Sequence, residues 1–458
     1  MTIKRKLTAG LLAASVAFAV NANPLEQELA HLVKTHPLLL ASDFAIDASV
    51  DNTAAVNANF YTRLKHNAET GREKIASRSY LPDDNFYLGN AGTGPNQRSK
   101  LSYRKWGLTL ETPLWHGGRN YSDLRTAQLN QDMAAMDKNG LTQQVLLEGI
   151  TAYLQVARFL TLIKLTEENE ASTLNQLELE RKRVNAGGGV AVDALQAQTR
   201  LQIVRERTVF YRQGLRDVMT NYQQVFGRLP DLNNLQSLDL FAEQLPQSVD
   251  VALNIAKAQS PDIQAADIET KRANEALTRV KTEYTPRFDL VVGSTHEFDK
   301  NMLDERSDMF VGVKMNWEYS LGFETKYRSS EATNRLNEQK QRAKNVNNRT
   351  AEAVNIAWNQ VENGQERLSL LTDAAEISKT VMEDRKRLRD AGKETALSVL
   401  DAEVEYYGVL ASRVNALYDT RISSYRLMNA MGKLTPDTIG IDGQFKLPVQ
   451  SLSLDLMK

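Results

Sequence analysis

Polar and apolar positions alternate over short windows of this chain and follow a helical period over very long runs. Trp106, Leu108 and Leu110 alternate with Lys105, Gly107, Thr109 and Glu111, the period of a strand with one apolar face. A second region gives Phe288, Leu290 and Val292, then Val311, Val313, Met315, Trp317 and Tyr319. A further strand signal falls near Phe86 to Leu88. Proline is absent from Arg119 to Arg183 and from Gly322 to Arg389. At ~1.5 Å per residue each run predicts a helix about 100 Å long, far beyond a globular helix of roughly a dozen residues. In the first run Leu146, Ile150, Tyr153, Ala157 and Leu160 step by four and three, a narrow seam for partner helices. Val354, Trp358 and Val361 repeat that seam in the second. It fits a coiled-coil rod, or a wall whose outer face meets solvent and whose inner face lines water.

The two sets of elements read as copies. Gly107 pairs with Gly312, Gly117 with Gly322, Tyr153 with Trp358, Gly187 with Gly392 and Gly227 with Gly432, all at an offset of 205 residues. An offset that holds from Gly107 to Leu229 without a gap predicts a duplicated unit: helix, two strands, a very long helix and a shorter one. Leu108 falls on Val313 and Leu110 on Met315, so the apolar face keeps its register. The expected domains are a leader over 1–22, a first repeat over 23–229, a linker over 230–246, a second repeat over 247–434 and a tail over 435–458. Pro37 to Pro82 is 20 residues longer than Pro261 to Pro286, which puts 20 extra residues within Ala41 to Ser79, as added helix or a local excursion.

Two strands per unit, four per chain, cannot close a barrel. Unpaired edges are forbidden in lipid, so several copies must share one closed sheet. On this reading Trp106, Leu108, Leu110, Val311, Val313 and Met315 face lipid, and the polar loops 90–100 and 299–308 enter water. Trp115, Trp317 and Tyr319 suit an interfacial girdle, although soluble sheets also end in aromatics. The fold class is mainly α with a β-barrel portion: a long helical coiled-coil barrel joined to strands from several copies.

Composition narrows the setting. The 458 residues are 42% hydrophobic and 25% charged, which excludes a polytopic helical membrane protein and a disordered chain. A net charge of −1 offers no basic field for nucleic acid. No cysteine is present, so thiolate metal sites, disulfides and a lipidated N-terminal cysteine are ruled out. Lys4, Arg5 and Lys6 precede an apolar run from Leu7 to Val20, with Val20 and Ala22 as the small residues before a cut ahead of Asn23. This is the pattern of a secretory signal peptide, its apolar core too short to span a bilayer. No other stretch reads as a transmembrane helix. The five histidines are scattered, and no HExxH, GxSxG or phosphate-cradling GxxxxGK[ST] occurs. No catalytic group, metal site or cofactor is therefore assigned, and the chain does not read as an enzyme.

Several segments resemble one known family. Thr112-Pro113-Leu114-Trp115-His116-Gly117-Gly118-Arg119 is similar to that family's entry from second strand into long helix. Residues Arg183 to Asp193 and Asp390 to Ala402 resemble its two helix-to-helix turns at the periplasmic tip. Pro261-Asp262-Ile263 and Thr285-Pro286 match the helix before the second strand pair, and Ala416 to Asp419 with Gly432-Lys433-Leu434 its closing helix. The family is that of TolC-like outer-membrane efflux and secretion proteins (outer membrane factors). The resemblance implies a homotrimer with one 12-stranded barrel in outer-membrane lipid and a helical tunnel in the periplasm. It also implies docking with a periplasmic adaptor (membrane fusion) protein and an inner-membrane transporter of RND or ABC type. Ala186, Gly187 and Gly188, with Ala391, Gly392 and Lys393, would form the adaptor-facing tip turns; plain helix termini explain the same glycines. Asp193, Asp401 and Ser398 fall on the family's pore constriction, where a threefold carboxylate ring would select cations. As a surface residue on an amphipathic helix, Asp401 would need no function. Arg389 and Glu394 occupy the positions of the family's tyrosine and arginine latch, so the latch itself differs here.

The resulting expectation is a trimeric exit duct of a tripartite efflux pump or type I secretion system. The competing reading is a periplasmic coiled-coil adaptor or scaffold, which would share the export signal and long helices. An adhesin or porin-like channel is a third. Strand pairs facing lipid discriminate between the first two.

Overall fold

A computed structural model describes residues 24–77, 97–232, 245–299 and 305–439. The leader, the Phe86 to Leu88 strand signal, most of the linker and the end of the tail lie outside these residues. In chain order the elements are α1 (Pro24–Thr35), α2 (Pro37–Asn57), β1 (Arg63–Ser77), β2 (Gln97–Trp115), α3 (Arg119–Asn185) and α4 (Ala191–Phe226), then α5 (Val249–Gln259), α6 (Pro261–Lys281), β3 (Arg287–Asp299), β4 (Glu305–Asn316), α7 (Glu324–Asp390) and α8 (Ala396–Ala430). The proline-free runs fold as α3 and α7, each 67 residues long. Prolines sit where they are tolerated, at the first position of α1, α2 and α6. Two helices, rather than one, precede each strand pair.

The chain packs as two compact units, each drawing on both repeats: Met1–Leu40, Asn139–Ser260 and Arg349–Lys458 form one, Ala41–Lys138 and Pro261–Asn348 the other. The second contains the sheet, antiparallel throughout in the order β1-β2-β3-β4. The two hairpins share one register. Arg63 faces Glu111 in the first and Arg287 faces Asn316 in the second, which are the same pair under the duplication. This corrects the expected place of the first strand and of the extra residues. Helices α2 and α6 both have 21 residues, and each is followed by a three-residue helical turn, Ala58–Phe60 or Thr282–Tyr284. Thr62, not Pro82, is therefore the equivalent of Pro286. The added length falls in the first hairpin: part of it lengthens β1 and β2, and the rest lies between them, outside the described residues. Strand β1 reads RLKHNAETGREKIAS, too rich in charge to show an apolar alternation, so only its pairing with β2 identifies it.

One face of the sheet carries Trp106, Leu108, Leu110, Val311, Val313 and Met315, all exposed. Trp106 stacks on His296 from the neighbouring strand, with ring centroids 4.2 Å apart. The other face is charged: Lys65 pairs with Glu111, and Lys105 lies 2.8 Å from Glu297. The expected apolar face is therefore kept in register across both hairpins. A sheet with bare apolar side chains on one face and ion pairs on the other has the polarity of a wall between lipid and water.

The same unit fixes the turn from β2 into α3. Gly117 has φ +60°, and a Cβ there would sit 1.7 Å from Thr285 Oγ1. Beside it, His116 Nε2 lies 2.7 Å from Asp289 Oδ1, joining the end of β2 to the start of β3. In the second repeat the residue equivalent to Gly118 is Phe323, which adopts φ 57°. Below the sheet the unit is held by Leu277, Ala332 and Leu336, and by Ser122, whose hydroxyl donates to the Glu275 carbonyl at 3.0 Å.

In the helical unit the seam read from the sequence is the core. Leu146, Ile150, Tyr153 and Ala157 of α3 pack with Leu25, Leu29 and Leu32 of α1, Phe226 of α4, Val354 and Val361 of α7, and Ile422 of α8. Leu160 and Trp358 lie partly buried against it. Contrary to the expectation from sequence, α3 does contain a stretch long and apolar enough to cross a membrane, but half of that stretch is buried. Core packing accounts for it.

Gly117→Ala is expected to cost about 1–3 kcal/mol, because it combines a left-handed backbone with a steric overlap. Gly118→Ala, which meets no atom closer than Thr282 Cγ2 at 4.0 Å, should cost less. Thermal unfolding of the two purified variants checks the order.

Candidate functional site

The two helix-to-helix turns lie in the helical unit and have the same construction. At the first, the Gly187 N–H donates to Val184 O and the Gly188 N–H to Arg183 O, both at 3.0 Å. At the second, the Gly392 N–H donates to Arg389 O and the Lys393 N–H to Leu388 O, both at 2.9 Å. These are paired closures of a helix end around a left-handed glycine, at φ +77° and +75°. A side chain at either glycine would meet no neighbouring atom, so backbone conformation alone calls for glycine. Ala186 and Ala391 precede them, their N–H groups bonded back to Lys182 and Arg387.

Entry into the following helix differs between the turns. Thr395 caps α8, its hydroxyl accepting from the Ser398 N–H at 3.2 Å and lying 2.9 Å from Ser398 Oγ. Val190 precedes α4 without a side-chain cap, and Asp193 sits in that helix's first turn, where its charge suits the N-terminal dipole. Ser398 is thus the residue whose N–H Thr395 caps, a place that sequence spacing had not indicated.

Asp401 is exposed but not bare. Arg200 of α4 donates to its Oδ1 at 2.8 Å. The structure therefore brings Asp401 to a cation of its own chain. A bare carboxylate ring, as expected from the family pattern, would carry more net charge than this pair does.

Behind the turns lies a feature that sequence reading missed. The apolar seam of α3 continues toward its C-terminus as a buried polar one: Thr166, Asn169, Thr173, Gln176 and Glu180, in steps of three and four. Helices α7 and α8 answer it with charge. Arg389 is 4% exposed and donates to Gln176 Oε1. Glu403 is 1% exposed, with Lys386 Nζ 2.6 Å away and the Ser172 hydroxyl donating at 2.7 Å. Three helices meet in this network. Along α8, burial and then the Glu403 charge push the Tyr407 phenol up to about 12, so it stays neutral. Glu394 lies 3.7 Å from Arg385, at the edge of ion-pair range. Thus Arg389 and Glu394, the substituted latch positions, both have partners, and only Arg389 reaches another long helix. The signal was present as the continued heptad spacing on α3, but polar residues at that spacing read as a solvated face.

Among the described residues no group of histidine, aspartate and glutamate has the arrangement of a metal site. The clefts between helices, such as the 430 Å³ one lined by Asn359, Arg367 and Asp419, are shallow surface grooves.

Comparison with known proteins places this geometry in context. The family model described as "Outer membrane efflux protein" matches residues 30–225 and 252–433. The outer membrane efflux protein BepC of Brucella suis is 24% identical over 379 residues, covering 81% of this chain and 82% of BepC. The outer membrane protein TolC of Vibrio cholerae is 22% identical over 378 residues, covering 80% and 85%. Among solved structures, the Campylobacter jejuni CmeC outer membrane channel superposes with a TM-score of 0.73 at 14% identity, over 89% of this chain and 85% of CmeC.

Removing one partner of the buried pair leaves a stranded charge, so Glu403→Ala is expected to destabilise the α3–α7–α8 contact by about 3 kcal/mol or more. Lys386→Met combined with Glu403→Leu should cost less than either change alone. Hydrogen–deuterium exchange over residues 386–403 measures the difference.

Proposed function

We propose a working arrangement for this chain, which belongs to the outer membrane efflux protein family: three copies enclose one continuous duct, gated at the helical turns. The chain is an outer-membrane exit duct with its helical part in the periplasm. What supports closure by several copies is the sheet. Four strands with an exposed apolar face and two unpaired edges are stable in lipid only if other copies supply the missing strands. A soluble adaptor or scaffold would have no use for that face.

The conduit is passive on this reading, and no residue acts as a catalyst. Movement of cargo is driven by an inner-membrane transporter, reached through a periplasmic adaptor at the turns around Gly187 and Gly392. These turns suit such a role because their glycine-closed backbones carry no packed side chain.

The gate is built from the polar seam. Glu403, Lys386 and Arg389 are held by hydrogen bonds and ion pairs, beside a small apolar cluster of Leu177, Ala197, Leu201 and Leu400. Polar contacts of this kind can be exchanged for others when helices shift, with only that small cluster to repack. Asp401 would face the constriction, and Arg200 sets how much of its charge the pore feels.

Two substitutions move ion selectivity in opposite directions. In single-channel recordings in planar bilayers, Asp401→Asn should lower the cation preference. Arg200→Ala, which uncovers the carboxylate, should raise it by a comparable factor, and the effect should shrink at molar salt. Unchanged reversal potentials in both variants would place the constriction elsewhere.

A further inference from the structure

The copies need a specific strand-to-strand register, and the duplication supplies a template for it. Within the chain, the second strand of repeat one pairs with the first strand of repeat two: Gly107 faces Thr295, Thr109 faces Gly293 and Leu110 faces Val292. Between copies, the second strand of repeat two must pair with the first strand of repeat one, so β4 meets β1 of the next copy. The two hairpins have identical internal register. The β2–β3 ladder can therefore be carried over residue by residue.

We infer that β4 pairs with β1 of the next copy so that Val313 faces Thr70, Met315 faces Ala68 and Gly312 faces Gly71. The inference rests on the reading that several copies close one sheet, and it goes further in fixing which residues meet. Three observations carry it. Strands β1 and β4 are the two edges of the sheet. Every residue of β4 from Arg306 to Asn316, and every residue of β1 from Arg63 to Arg72 except Gly71, is exposed in the single chain. Third, the carried-over register is complementary. Lys314 falls opposite Glu69 and, two pleat repeats further on, Glu318 falls opposite Lys65.

Both pairs lie on the charged face, and the apolar residues stay on the other. Shifting the register by two residues in either direction keeps the faces but sets Lys314 against Asn67 or Gly71, losing that pair. The equivalent position within the chain, Thr109 against Gly293, carries no charge. The Lys314–Glu69 pair is thus confined to the seam between copies, where register is not already fixed by a hairpin turn. Past Asn316, the carried-over ladder also sets Trp317 against His66 on the apolar face, the same two residue types that stack as Trp106 and His296 inside the chain. Pairing with the next copy would extend β4 through Glu318.

The chain has no cysteine, so disulfide trapping needs no background removal. Three double variants of the full-length protein in outer-membrane preparations suffice: V313C with T70C, V313C with A68C, and V313C with R72C. The first is expected to give reductant-sensitive covalent oligomers on denaturing gels as its main product, with the other two giving several-fold less. Strongest trapping in either shifted pair overturns the register. The size of the detergent-solubilised wild type is measured alongside. A monomer there would overturn the shared-sheet reading as well, whereas an oligomer that V313C with T70C fails to trap overturns the register alone. As a second readout, K314E should lower the temperature at which the oligomer dissociates, and adding E69K should restore it. No restoration would argue against the pairing.

Discussion

A strand in hydrocarbon has no water to bond its backbone, and this constraint governs the rest of the molecule. The four strands satisfy one another internally, but β1 and β4 each leave a row of amides and carbonyls unpaired. Here they run exposed beside an apolar face, an arrangement that is costly anywhere except in a closed sheet within lipid. The exit duct of an efflux system follows from that cost more directly than from any single residue.

Duplication is how one chain meets this demand. Each repeat supplies a hairpin of the same register, and the join between repeats supplies a strand pair that a neighbouring copy can imitate. The repeats have drifted where geometry tolerates it. Gly117 and Gly118 both turn left-handed between β2 and α3, while the second repeat makes its left-handed residue a phenylalanine, Phe323. The first hairpin has gained length and the second has not. Neither change disturbs the ladder, because register is set by pairing and by the polarity of the two faces.

At the helical turns a different balance holds. The large apolar core runs along α3 to about its middle, and toward the turn buried polar side chains predominate around a small apolar cluster at Leu177. A buried charge such as Glu403 contributes little net stability once its desolvation is counted, but it is intolerant of losing its partner. That combination suits the gate proposed here, which would hold one arrangement firmly and still exchange it for another. The Arg200–Asp401 pair adds a local correction to the charge presented at the surface.

The sequence by itself determined the long helices, the duplication, the apolar face of the sheet and the glycine turns. Each is written in local spacing: absence of proline, a period of two or of three and four, and a left-handed residue that only a missing Cβ makes cheap. Tertiary structure decided what spacing does not encode. Strand β1 is too charged to announce itself, and only its bonds to β2 show that Thr62 rather than Pro82 matches Pro286. Gln176 and Glu403 look like solvated residues until helices from both repeats close over them. Whether Asp401 stands alone or beside Arg200 depends on two side chains that are distant in sequence and meet at 2.8 Å. Periodicity reports which face of an element is apolar; which polar groups are brought together, and so what charge remains, is settled only by packing.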